Sequence, residues 1–201
     1  MRKLLFCILV IMVTVACENG HLASPQASGR PYEVLVVMDK ADWEAPEGRA
    51  LFDVLDTDIP GLPQPERSFH ISQVAPKDMN RTLSIFRNII EVNIDPRQFT
   101  TTRMKFVRNV YANEQVILRI NSQSKEAFIV YVKEHRQDII DFFTKMEINR
   151  LCKNLERKYS KLTYDLVKEI FDCELRAPEE LKNYKRGKDF LWTTNNTATG
   201  M

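Results

Sequence analysis

The sequence predicts an α+β fold, with a mainly antiparallel sheet packed against one or two long helices, in a domain cut short at its carboxyl end. Three observations carry this. Strand-like runs succeed one another through residues 32–120 and finish in a hairpin pattern. A long amphipathic stripe follows from Ser124. A strand-like segment at 189–194 then stands without a visible partner, with only NNTATGM after it. The chain has 201 residues, 44% hydrophobic and 28% charged, enough for a real core and too charged for a protein of many membrane spans. Its aromatic residues (2 Trp, 6 Tyr, 11 Phe) argue against general disorder.

Residues 1–16 have the layout of a secretory signal. Arg2 and Lys3 form a basic end, Leu4 to Val13 carries no charge, and the small Ala16 precedes Cys17. The apolar run is too short to span a bilayer permanently. A cysteine at this place marks a lipoprotein signal, cut between Ala16 and Cys17 once the thiol carries a diacylglyceryl group. Thr14-Val15-Ala16-Cys17 is a loose lipobox, without the usual Leu three residues before the Cys. The expected partner is therefore a membrane, held through lipidated Cys17. Glu18, rather than Asp, favours the outer membrane of the cell envelope. Residues 17–31 read as a flexible tether after the anchor, and 32–201 as the α+β domain, incomplete at its carboxyl end. Loss of the signal removes two basic residues, leaving 27 basic against 27 acidic. That balance gives no footprint for nucleic acid.

Within the domain, Tyr32–Met38 is a β-branched apolar run after a proline, a buried strand. Residues 45–55 place Ala50, Leu51, Val54 and Leu55 at helical spacing, with Pro46 near the start. Phe69–Val74 and Leu83–Ile94 read as strands, with a short helix or turn over 76–80 between them. Met104–Tyr111 and Gln115–Ile120 read as a hairpin, with Val116, Leu118 and Ile120 on one face. Ser124 caps a helical stripe of Phe128, Val132, His135, Ile139, Phe142 and Met146. A second stripe from Ile148 to Leu162 is offset from it, so the long helix is expected to bend or break near Glu147. Asp172–Arg176 and Asp189–Thr194 are expected as closing strands.

Chemistry-bearing residues are few. His21, His70 and His135 have no metal-ligand spacing, and no metal site is expected. Asp53, Asp56 and Asp58 match no calcium loop and read as a helix end followed by a polar loop. Hydrolase and nucleotide-binding signatures are absent, so no catalytic residue and no cofactor is implied. Cys152 and Cys173 either pair as a disulfide in an oxidising compartment or stay free, Cys152 then packing beside Leu151 and Leu155. Residues 39–66 carry eight acidic and two basic residues; 149–161 carry five basic and one acidic, read as a solvated helix face. Trp43 and Trp192 sit in polar surroundings, where aromatics cap a core or bind sugars and peptides.

The Tyr32–Met38 run ending in Asp39-Lys40 and Trp43, the Leu62-Pro63-Gln64-Pro65-Glu66 loop with Phe69, Arg87-Asn88-Ile89-Ile90 and Gly187-Lys188-Asp189-Phe190-Leu191-Trp192 together resemble a family of Bacteroidota lipoproteins known only as a domain of unknown function. The resemblance runs from residue 17 to the end and implies an envelope lipoprotein, with no activity or catalytic residue to carry over. Members generally continue past the region of Trp192, which agrees with a shortened chain. The expectation is a non-enzymatic binding or structural module that meets an unknown envelope protein or glycan. The alternatives are an envelope-polymer hydrolase using His70 and Glu66, and a carbohydrate- or peptide-binding accessory protein using Trp43 or Trp192.

Overall fold

The computed structural model describes residues 24–195; the expected signal, Cys17 and the first part of the tether lie outside them. Five strands form one sheet. β1 (Glu33–Val37), β2 (His70–Val74), β3 (Asn88–Ile94) and β5 (Val116–Ser122) are mutually parallel, and β4 (Arg103–Arg108) runs antiparallel to β5 at one edge. The spatial order is β2-β1-β3-β5-β4. The mainly antiparallel sheet expected from the sequence is thereby corrected to a mostly parallel one, and the fold is mixed α/β.

The reason lies in burial on both faces. Val34, Val36, Ile90, Leu118 and Ile120 pack on one side beneath α2 (Pro46–Leu55), α4 (Lys125–Glu134) and α5 (Arg136–Arg157). Leu35, Val37, Ile89 and Ile117 pack on the other, beneath Met79, Leu83 and Phe86 of the β2–β3 crossover. Strands covered on both sides read as continuous apolar runs, the usual mark of a parallel sheet. That second crossover is slight: a 3₁₀ turn at Pro76–Asp78 and a four-residue helix, α3 (Arg81–Ser84), whose Asn80 side chain caps Thr82 and Leu83. The strand expected over 83–94 is thus α3 in its first two residues and begins at Asn88.

The long helical stripe breaks at His135 and again at 158–160, and α5 passes straight through Glu147. Glu147 does not end the helix because Asn88 and Arg87, from the start of β3, and Arg150, one turn further along α5, satisfy it. Its Oε1 accepts from Asn88 Nδ2 at 2.8 Å and Arg150 Nη1 at 2.6 Å, and its Oε2 pairs with Arg87 Nη2 at 3.0 Å. Arg150 also donates to the carbonyls of Glu114 and Arg87. Burial holds the Arg150 guanidinium below its usual range, and Glu147 offsets only part of that effect. α5 consequently lies across the amino edge of the sheet, with Phe143 against Phe69 and Phe142 stacked on Phe106 of β4.

Beyond α5 come α6 (Lys161–Phe171) and a separate antiparallel hairpin, β6 (Asn183–Arg186) with β7 (Leu191–Thr194). The expected strand at 172–176 is irregular chain. The partner that 189–194 lacked in the sequence is β6, exposed at all four positions and so without an apolar pattern. At the other end, the described part of the expected tether is laid along the amino edge. Ala27 N–H donates to Asn113 O, Asn113 N–H to Pro25 O, and Arg87 N–H to Ser28 O.

Candidate functional site

The strand order reverses between β1 and β3. The chain leaves β1 for β2 on one side, then crosses back over β1 to β3 and proceeds to β5 on the other. In open α/β sheets, ligands sit outside the carboxyl ends of the strands at such a switch point. A crevice of about 640 Å³ lies there, lined by Val37 and Asp39 at the end of β1 and by Glu91 and Asn93 of β3. It continues along the second face of the sheet past Met79, Arg81 and Ser84 of the crossover, as far as Tyr111. Its volume falls within the 300–1,000 Å³ or so of ordinary ligand clefts.

Much of its charge is already committed. Asp42 of α1 (Lys40–Trp43) pairs with Lys125 Nζ, which also reaches Glu47, a carboxylate only 3% exposed. These two carboxylates hold the Lys125 ammonium well above the usual lysine range. Glu91 pairs with Arg119 Nε at 2.6 Å across the β3–β5 register. Ser84 Oγ donates to the carbonyl of Arg81. No side-chain base bonds to Ser84 or Tyr111 among the described residues.

A second open crevice, of about 620 Å³, lies near the amino end of β2 and gathers Asp58, Glu66, His70, Arg136 and Asp141. His70 and Glu66, considered together in the sequence, do share this space. His70 is exposed on the edge strand. Arg136 is tied to Thr57, and Asp141 to Gln137.

The remaining sequence candidates disperse. Asp53 pairs with Arg49 and Asp56 with Arg67, while Asp58 bridges to Arg67 through the backbone. His135 bonds to Asp138 and stacks on Tyr131 at the α4–α5 junction. Trp43 leans edge-on against Phe52 and packs on the core, whereas Trp192 stands 57% exposed on β7. Cys152 and Cys173 are exposed free thiols, so Cys152 is not packed into the core. Ala16, Cys17 and His21 lie outside the described residues. Among the described residues, no group of three or more His, Cys, Asp and Glu is placed to hold a metal ion. No described helix is long and apolar enough to cross a membrane.

Sequence reasoning missed Asp39, Arg81, Glu91 and Asn93 as a group. A signal existed in the doubly buried run Val34–Val37: a parallel strand there puts Asp39 at its carboxyl end. Nothing local marked Arg81, which is brought over by the crossover.

Residues 27–156 match a family described as Domain of unknown function (DUF8532). No curated protein and no solved structure matches the chain. The matched stretch begins at the docked segment on the amino edge and stops one residue before the end of α5, so it contains both crevices.

Proposed function

The chain belongs to this family of domains of unknown function, and from that premise we propose that it is a lipid-anchored binding module of the bacterial cell envelope, akin to the Bacteroidota lipoproteins it resembles. Cys17 carries the anchor, and the switch-point crevice is the binding end. The observation that carries this reading is the crevice at the carboxyl ends of β1 and β3, where this class of sheet holds its ligands. The positions of the two ends support it. The chain joins the domain along the amino edge, at Asn113 and Arg87, beside the Ser84 and Tyr111 end of the crevice, while its Asp39 and Asn93 end lies at the carboxyl ends of β1 and β3. An anchor upstream of residue 24 therefore enters away from that carboxyl end.

Two experiments test the two halves. Cys17→Ala should move the protein from the membrane fraction to the soluble one and abolish labelling by a fatty-acid analogue; labelling that persists refutes the anchor. Ser84→Trp should fill the crevice and remove whatever co-purifies with the wild-type protein from native envelopes, without lowering its melting temperature. Unchanged co-purification refutes the binding end.

A second reading, an envelope-polymer hydrolase, draws on the shared position of His70 and Glu66 in the other crevice. If it held, His70→Gln and Glu66→Gln would each lower release of soluble fragments from labelled envelope polymer by at least about a hundredfold. The binding reading expects no release by the wild-type protein.

A further inference from the structure

We propose that the switch-point crevice takes a short zwitterion, an α-amino acid or a peptide of two or three residues, with its ammonium on Asp39 and its carboxylate on Arg81. The inference rests on the reading of that crevice as the binding end and adds the class of ligand.

Four of the lining residues carry charge: Asp39, Asp42, Arg81 and Glu91. Glu91 is already paired with Arg119, and Asp42 with Lys125, which it shares with the buried Glu47. The Asp39 carboxylate and the Arg81 guanidinium have no ion pair and no side-chain hydrogen bond among the described residues. They line one cavity, carry opposite charges, and do not pair with each other. Asp39 follows the end of β1 and Arg81 opens α3, so one reaches the crevice from the sheet and the other from the crossover. A ligand that bridges them must present a cation at one end and an anion at the other. A simple anion would meet Asp39 uncompensated, and a simple cation would meet Arg81.

The rest of the lining suits the remainder of such a molecule. Val37, Pro76 and Met79 offer apolar surface to an aliphatic side chain. Asn93, exposed on β3 and with no hydrogen bond from its side chain among the described residues, offers a donor and an acceptor to a peptide group. Guanidinium meets carboxylate through two parallel N–H donors, and ammonium places three donors before a carboxylate, so both ends gain charge-assisted bonds. The volume of about 640 Å³ admits a di- or tripeptide.

The test is calorimetric titration of the full-length protein, purified in mild detergent, with alanyl-leucine, N-acetyl-alanyl-leucine and alanyl-leucinamide. The expected result is binding of alanyl-leucine, with each blocked form weakened about tenfold or more by the loss of its charge-assisted bond. Asp39→Asn should abolish discrimination against the acetylated peptide alone, and Arg81→Gln discrimination against the amide alone. Both residues are exposed, and unchanged melting temperatures would verify that the variants fold. Equal binding of all three peptides, or no binding at millimolar concentration, overturns the proposal. If the peptides fail while Ser84→Trp still strips a component captured from envelopes, the binding end stands and only the zwitterion is wrong.

Discussion

Glu147 is a buried carboxylate that draws in three side chains at once. It is 3% exposed and holds Asn88, Arg87 and Arg150, which in turn tie the amino ends of β3 and the β4–β5 turn to α5. Removing one member of a buried ionic set strands the others, at a cost of about 3–5 kcal/mol; replacing the set with apolar groups costs far less. Glu147→Ala should therefore lower the free energy of unfolding by about 3–5 kcal/mol in urea titration. The double change Glu147→Met with Arg150→Met should recover part of that loss. A loss below about 1 kcal/mol for the single change would mean that Arg87 and Arg150 find water instead. The sequence misleads at this residue for a physical reason. A charge inside an apolar stripe reads as an interruption, and its partners Asn88 and Arg87 lie some sixty residues away, where no periodicity can reveal them. Asp39 was missed although a local signal existed: the apolar run before it is a strand buried on both faces, which puts Asp39 at a carboxyl end.

Among elements, α1 and α2 meet in close backbone contact at Gly48. A Cβ on Gly48 would collide with the backbone of Trp43, at its carbonyl carbon, oxygen and Cα. Trp43 is itself fixed edge-on against Phe52. Two effects oppose each other in Gly48→Ala. Alanine in a helix interior gains about 0.5–1 kcal/mol over glycine, while overpacking against rigid backbone costs about 1–3 kcal/mol. The second wins, so Gly48→Ala should lower the melting temperature; an increase would mean that α1 shifts away freely. α1 also carries Asp42 into the crevice, so the same variant should disturb the Asp42–Lys125 pair. The elements also explain the misjudged sheet. The β4–β5 hairpin announced itself through alternation, and it is indeed the antiparallel pair of the sheet. The two crossovers that make the rest parallel differ greatly in legibility. α2 has ten residues and a clear stripe, whereas the return from β2 to β3 uses only a 3₁₀ turn and four helical residues, too short for any helical period.

At the scale of the whole molecule, the core stops well before the described chain does. Both apolar clusters draw their members from residues up to Met146. Leu166, Val167 and Ala177 are buried but belong to neither cluster. They pack in a small unit of α6, β6 and β7, which is joined internally by Ser160 to Ala177 and by Arg186 to Glu169. That unit leaves Phe171, Leu175, Tyr184, Phe190 and Trp192 largely exposed, so it buries too little apolar surface to stabilise the sheet. The family match ends at residue 156, beside the end of α5 at Arg157. Residues 24–157 should accordingly fold alone. Their unfolding should stay cooperative, with a free energy within about 1 kcal/mol of that of residues 24–195, as for changes remote from a core. Native-state hydrogen exchange on the longer protein should find amides of 161–194 opening well before those of β1, β3 and β5, whose protection reports global unfolding. Trypsin should cut first around Arg157 and Lys158, between the two units. A fragment 24–157 that melts without cooperativity, or uniform protection across the full length, would instead make α6, β6 and β7 part of the same folding unit. The sheet would then depend on the exposed apolar side chains of that unit finding cover.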